Sequence, residues 1–126
     1  MPIGKEVGSV SMKGTSITKG VDAAGHHTFV LNLEGTVTGG WTGTVIMTMN
    51  ITTSDNSSGT YTASAVAYLA DGSVIPSSGS GLTRALGGHK WRLNGLGLLA
   101  DGTQLAIEGD MELATRSFNA KLHEIT

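Results

Sequence analysis

The sequence predicts an all-β protein, a single eight-stranded antiparallel barrel with up-and-down connectivity. The first observation is the alternation from Trp41 to Ile51, where apolar residues at odd positions are interleaved with threonine and asparagine. A period of two is typical of a strand with one buried and one solvated face. The same rhythm returns along most of the 126 residues, between short glycine-rich turns. An open sheet of this size would leave long edges, which closure into a barrel removes.

Turn residues separate the predicted strands. Asp-Gly and Gly-Gly pairs tolerate the positive φ angles of tight hairpin turns, and they occur at Gly39-Gly40, Asp71-Gly72, Gly87-Gly88 and Asp101-Gly102. The intervals between turns predict strands at residues 5–18, 26–37, 41–53, 59–70, 73–85, 89–100, 103–114 and 117–125. Each connection is short enough to join antiparallel neighbours, and no interval has helical periodicity. We therefore expect one domain over residues 1–126.

Parity along each strand assigns an inner face whose residues differ widely in size. The interior of an eight-stranded barrel is either just filled by side chains or holds one small ligand. Small inner residues leave room for a ligand, whereas large ones can cross the barrel and fill that space. The small inner residues are Ala63, Ala65, Ala67, Gly95, Gly97 and Gly109, and the large ones include Trp41, Met47, Met49 and Trp91. The sequence leaves both interiors open.

Four polar residues on the inner parity are candidate catalytic groups: His27, His89, Arg84 and Glu124. A buried carboxylate is costly unless it is paired, so an inward Glu124 is expected beside Arg84 or a histidine. Such a pair can donate and accept protons. The alternative is that Glu124 frays near the C-terminus and His89 is a solvated rim residue. The candidate ligand-binding residues are Trp41, Met47, Met49, Tyr61, Trp91 and Met111.

The composition excludes several classes of function. A net charge of -2 and a charged fraction of 14% leave no broad basic surface for nucleic acid. The chain has no cysteine, and its histidines and carboxylates lack the spacing of a metal site, so we expect neither metal nor cofactor. No apolar run approaches the length of a spanning helix, and no basic-then-apolar leader begins the chain. We therefore expect a cytoplasmic protein without membrane insertion.

The predicted outer face of the central strands carries few charges. Between Gly35 and Thr83 only Asp55 and Asp71 are charged, and both lie in predicted turns. The outer positions of strands three and four are mainly threonine and serine. Low charge over a wide surface is compatible with burial against another subunit. We expect a homo-oligomer that assembles through this threonine-rich face.

In its eight antiparallel strands, short turns and apolar inner positions, the chain resembles the small calycin-like and allene-oxide-cyclase-like barrels. The resemblance implies a cavity for an apolar or polyketide-like small molecule and, in some such families, isomerisation or cyclisation without a cofactor. The expected function is binding of a small, largely apolar molecule inside the barrel, with proton or conformational catalysis acting on it. The alternatives are a non-catalytic carrier of such a ligand and a filled barrel that serves assembly or partner binding.

Overall fold

The computed structural model describes residues 3–125, and eight antiparallel strands account for most of them. The strand bounds differ from the predicted ones by a few residues, since the third strand begins at Gly43 and the sixth at Lys90. Gly72 and Gly102, with φ of 91° and 93°, adopt the left-handed conformation expected in their turns. The strands are β1 (Ile3–Val21), β2 (His27–Gly39), β3 (Gly43–Thr53), β4 (Ser58–Leu69), β5 (Val74–Gly87), β6 (Lys90–Leu99), β7 (Gln104–Glu112) and β8 (Ser117–Ile125).

Backbone hydrogen bonds close the sheet into a barrel. Each strand pairs with its sequence neighbours, and β1 also pairs with β8, from Ile3 opposite Ile125 to Lys13 opposite Ser117. The predicted fold class is confirmed: residues 3–125 form one closed up-and-down barrel without a helix. We call the end with the turns after β1, β3, β5 and β7 the upper end. The lower end holds the start of β1, the end of β8 and the other three turns.

A middle layer of large side chains fills the barrel between its two ends. Its members come from β1, β2, β3, β6 and β8, so they converge from around the barrel wall. Close packing of apolar side chains is the main source of stability in such a core. The five residues, each at most 3% exposed, are Met12, Leu33, Met49, Leu93 and Phe118.

Strand β5 faces the opposite way from the prediction. Leu82, which shares the parity of the predicted inward Arg84, is 64% exposed, whereas its neighbour Thr83 is buried. The inner positions of β5 therefore include the glycines Gly79 and Gly81. The physical reason lies on β4, where the large side chain of Tyr61 stands opposite Gly81 and occupies the interior that a leucine would need.

Candidate functional site

Two separate cavities remain inside the barrel, one on each side of the middle layer. The lower cavity has a volume of about 110 Å³ and the upper cavity about 250 Å³. None of the described residues lines both. The sequence left open whether the interior is filled or empty. The barrel is filled at mid-height and empty toward each end.

Small side chains create the lower cavity. Three alanines of β4, Ala63, Ala65 and Ala67, line it together with Gly97. Trp41, which lies in the β2–β3 connection, also lines this cavity. Its indole packs on β1, since a Cβ added at Gly8 would be 3.2 Å from the ring. Four of the predicted ligand-binding residues border this cavity: Trp41, Met47, Met49 and Tyr61.

Tyr61 lines the lower cavity and carries a buried side chain. Its ring lies against the barrel wall, so that a Cβ added at Gly95 of β6 would be 2.3 Å from the hydroxyl oxygen. Burial raises the pKa of the Tyr61 hydroxyl. The hydroxyl is therefore neutral at pH 7.

The upper cavity has an apolar lining with a few polar groups at one side. Trp91 and Met111, the other two predicted ligand-binding residues, both line it. The hydroxyl-bearing residues Thr53 and Thr83 are buried at its edge. An apolar pocket with a small number of placed polar groups is typical of small-molecule sites. The remaining apolar lining residues are Ile17, Phe29, Leu31, Ile51, Leu93 and Leu113.

Hydrogen bonds fix the β3–β4 turn, which forms one wall of the upper cavity. The Asp55 carboxylate accepts hydrogen bonds from the backbone N–H groups of Ser57 and Ser58 at 2.8 and 3.1 Å. These bonds hold the pKa of Asp55 below its ordinary value. The Trp91 indole N–H donates to the Asn56 carbonyl across the cavity edge, at 3.4 Å. The turn and Trp91 therefore form one connected wall.

A third cavity, which we call the side cavity, adjoins the upper one near an irregularity in β1. It has a volume of about 320 Å³ and shares Ile17, Leu31, Trp91, Met111 and Leu113 with the upper cavity. It also reaches the β7–β8 turn, where Arg116 contributes a guanidinium group to its lining. The Arg116 side chain donates to the Leu113 carbonyl. The two cavities together give the upper end far more space than the lower end.

The two predicted catalytic histidines lie at the upper end, in different settings. His27 stands on the inner parity of β2 opposite Thr53, and its Nδ1 is 2.9 Å from the Lys19 Nζ. It is exposed, at the rim of the barrel. His89 does not lie on β6, because it occupies the β5–β6 turn with φ of 59°. The prediction that His89 points into the barrel is wrong, since the turn takes this residue out of the strand and leaves it exposed.

The other two predicted catalytic residues are far from each other. Arg84 is exposed on the outer face, opposite Ser58 and Arg92, so its predicted inward orientation is wrong. The reason is the reversed facing of β5. Glu124 keeps the inner parity, opposite Leu105, and is partly buried at the lower end. Its expected pairing with Arg84 is also wrong, because the two residues lie at opposite ends and on opposite faces.

Sequence reasoning missed Lys19 and Thr83 as groups at the upper cavity. Lys19 shares the inner face with Phe29 only because the pairing of β1 with β2 shifts by one residue between Gly14 and Ser16. A one-residue shift moves every later side chain to the other face. Gly14, a glycine inside the predicted strand, was the available indication of a bulge. Thr83 was missed because its leucine neighbours suggested the wrong inner face for β5.

Two kinds of site are absent from the part of the chain that the structure describes. No three histidine, aspartate or glutamate side chains within residues 3–125 come together in a way that could hold a metal ion. No helix within the same range is long and apolar enough to cross a membrane.

Comparison with solved structures supports the architecture. The barrel is similar to the crystal structure of a protein with unknown function from Clostridium acetobutylicum ATCC 824, with a TM-score of 0.78 and all of both chains covered. The two sequences are 13% identical, so the likeness concerns the fold alone. No protein-family model matches the chain, and no curated protein matches it in sequence.

Proposed function

We propose that this protein binds one small, largely apolar molecule in the upper end of its barrel, as the calycin-like and allene-oxide-cyclase-like barrels that it resembles hold theirs. The observation that carries the proposal is the upper cavity, about 250 Å³ of space lined by eight apolar side chains and adjoined by the side cavity. A methylene group occupies roughly the volume of a water, ~30 Å³, so the upper cavity fits a chain of about eight carbons. A cytoplasmic location remains part of this proposal.

The test is a series of linear alcohols from 1-butanol to 1-decanol. Each buried methylene contributes about 0.8 kcal/mol, so affinity is expected to rise roughly fourfold per carbon and to level off near eight carbons. The chain has two tryptophans, Trp41 at the lower cavity and Trp91 at the upper cavity. Each single-tryptophan variant therefore reports on one cavity by its fluorescence. The Trp41→Phe variant reports on the upper cavity through Trp91, and the Trp91→Phe variant reports on the lower cavity through Trp41.

Quenching by 8-bromo-1-octanol identifies the occupied cavity. We expect quenching of Trp91 in the Trp41→Phe variant and little quenching of Trp41 in the Trp91→Phe variant, because the lower cavity of about 110 Å³ is too small for the chain. Quenching confined to Trp41 would move the site to the lower end. Affinities that do not depend on chain length would remove the proposal.

A second candidate function is isomerisation or cyclisation of the bound molecule without a cofactor. The observation that favours it is the close approach of Lys19 and His27 at the cavity rim, where a proton can be exchanged with a ligand. Native mass spectrometry of the purified protein identifies any retained molecule, and incubation of that molecule with fresh protein tests for conversion. Recovery of the molecule unchanged supports a carrier. Conversion at an unaltered rate in the His27→Gln variant would exclude His27 from the chemistry.

We also propose that the protein forms a homo-oligomer through an outer patch on β3–β6. The patch consists of exposed apolar side chains. The outer positions around it on β3 and β4 are mainly serine and threonine, and Arg84 and Arg92 lie together at its upper edge. With ~4.8 Å between strands and ~6.6 Å between outward residues, these strands present roughly 600 Å² of sheet plane, which approaches the ~800 Å² per partner of a standard interface. A second copy fits because the patch residues themselves carry no charge. The patch residues are Ile46, Tyr68, Val74, Leu82, Leu96 and Leu98.

A further inference from the structure

The rim of the upper cavity carries a positive group, Lys19, on its inner face, with His27 beside it. Lys19 of β1 stands opposite Phe29, and His27 of β2 stands opposite Thr53. Phe29 and Thr53 both line the upper cavity. The Lys19 Nζ and the His27 Nδ1 lie 2.9 Å apart, so the two side chains meet at one point of the rim. A ligand that enters this end passes them.

Arg116 adds a second positive group in the β7–β8 turn, which lies next to β1. It lines the side cavity, together with Ile17 and Leu113, which also line the upper cavity. Lys19 and Arg116 are therefore placed at two neighbouring parts of one connected space. Within residues 3–125 no carboxylate lies within ion-pair distance of either cation.

The carboxylates of the upper end are engaged elsewhere. The Asp55 carboxylate accepts backbone hydrogen bonds within its own turn. The Asp22 side chain accepts from the backbone of Ala24 and His26, and Glu112 pairs with Lys90 at 3.3 Å. Because these acids have other partners, the cations at the rim are available to a bound anion.

The lower end is more acidic than the upper end. Asp71 and Asp101 occupy its turns and Glu124 lies on its inner face without an ion pair in the described chain, whereas Lys5 and Lys121 are its cations. Carboxylates therefore outnumber cations at the end with the smaller cavity. An anion is attracted more strongly to the upper end than to the lower end.

We infer that the ligand of the upper cavity is an amphipathic anion, with an apolar chain inside the barrel and a carboxylate-type head at Lys19 and His27. This inference rests on the proposed function and names the chemistry of its ligand. The Lys19 ammonium donates to the anionic head, and a charge-assisted hydrogen bond of this kind is stronger than a neutral one. The apolar chain fills the space among Phe29, Trp91 and Met111.

Matched probes of one chain length test the inference: octanoate, 1-octanol and octyltrimethylammonium. They are titrated against the full chain carrying Trp41→Phe, with Trp91 emission as the signal. We expect octanoate to bind about tenfold more tightly than octanol. Two partly exposed contacts with the charged head, one from Lys19 and one from His27, account for a difference of that size. The cationic probe is expected to bind most weakly. Raising the salt concentration is expected to weaken the binding of octanoate and to leave the binding of octanol unchanged.

The Lys19→Gln variant separates the head contact from the chain contact. It is expected to reduce octanoate binding about fivefold without affecting octanol, because an exposed charge contact is of that size. The matched control is Lys121→Gln, which removes a lysine near Glu6 on the outer face. Equal binding of octanoate and octanol, unchanged by Lys19→Gln, would overturn the inference and leave the proposed function standing. Failure of every probe to bind would overturn both.

Discussion

At the scale of single residues, glycine and alanine do two different things inside this barrel. Gly95 and Gly109 accommodate large neighbours, since an added Cβ would lie 2.3 Å from the Tyr61 hydroxyl and 2.7 Å from the Phe118 ring. Ala63 and Ala67 instead line the lower cavity. Small inner residues therefore indicate close packing at one height of the barrel and a cavity at another.

Leu93 is expected to be a main support of the middle layer. It is the least exposed side chain of that layer, so Leu93→Ala should lower the free energy of unfolding by about 2–5 kcal/mol. The control is Leu86→Ala on the outer face, which should change it by no more than about 0.5 kcal/mol. Urea denaturation of both variants provides the measurement. Equal losses of unfolding free energy in the two variants would mean that the middle layer is not a main source of stability.

Asp55 is expected to make the stability of the protein depend on acidic pH. Its folded-state pKa lies below the unfolded value, so its contribution is present above about pH 4 and is lost as the pH falls through the folded pKa. Asparagine keeps an oxygen acceptor but loses the charge. Urea midpoints for the wild type and Asp55→Asn should therefore differ at pH 7 and converge near pH 2. A difference that is constant with pH would contradict this assignment.

At the scale of elements, β5 and β6 approach each other most closely at a pair of glycines. Gly81 stands opposite Gly95, and a Cβ added at Gly81 would lie 2.1 Å from the Asn94 carbonyl oxygen and 2.6 Å from the Gly95 Cα. Both contacts are with backbone, which cannot rotate away. This close approach allows Tyr61 to lie against the wall, and it explains why β5 turns its leucines outward.

Gly81→Ala is expected to separate β5 from β6 and to destabilise the barrel by about 1–3 kcal/mol, as overpacking does. Gly79→Ala is the matched control on the same strand, because its Cβ would lie 3.1 Å from the Leu96 carbonyl oxygen, a contact that needs only a small adjustment. Thermal unfolding monitored by circular dichroism compares the two. Equal shifts of the unfolding temperature in the two variants would show that the close approach at Gly81 does not determine how β5 packs on β6.

At the scale of the whole molecule, the barrel differs between its ends and between its sides. The upper end has the larger cavities and the available cations, and the lower end has the smaller cavity and Glu124. One side of the outer wall carries the apolar outer patch, whereas the upper part of β6 forms ion pairs with β7, such as Lys90 with Glu112. These differences keep the proposed site for a small molecule apart from the proposed surface for another copy.

Leu98→Lys is expected to dissociate the proposed oligomer. It places an unpaired charge in the outer patch, and burial of such a charge costs several kcal/mol, so the dissociation constant should rise at least tenfold. Asn119→Lys adds the same charge to the outer face of β8, away from the patch, and should leave assembly unchanged. Sedimentation velocity measures both. A wild-type protein that is monomeric at every concentration would remove the oligomer proposal.

Much of the barrel was predictable because local chemistry determined it. Alternation between faces is a property of each strand by itself, so the inner alanines of β4 and the inner position of Trp91 on β6 were identified correctly, although His89 just before β6 was not. Glycine at a turn with positive φ is equally local, as at Gly102. The residues bordering the cavities could also be named, because large apolar side chains on an inner parity have few other places to go.

The sequence by itself determined the eight strands, their turns and the closed antiparallel barrel, since these follow from period-two patterning and short connections. Only the tertiary structure decided that the interior divides into an upper and a lower cavity, that Arg84 faces outward and that Lys19 reaches the upper rim. Each of these depends on how one strand meets another: the bulge after Gly14 reverses the faces of β1, and Tyr61 occupies the interior beside β5. Side-chain volume and register across strands are non-local quantities, and parity along a single strand does not contain them.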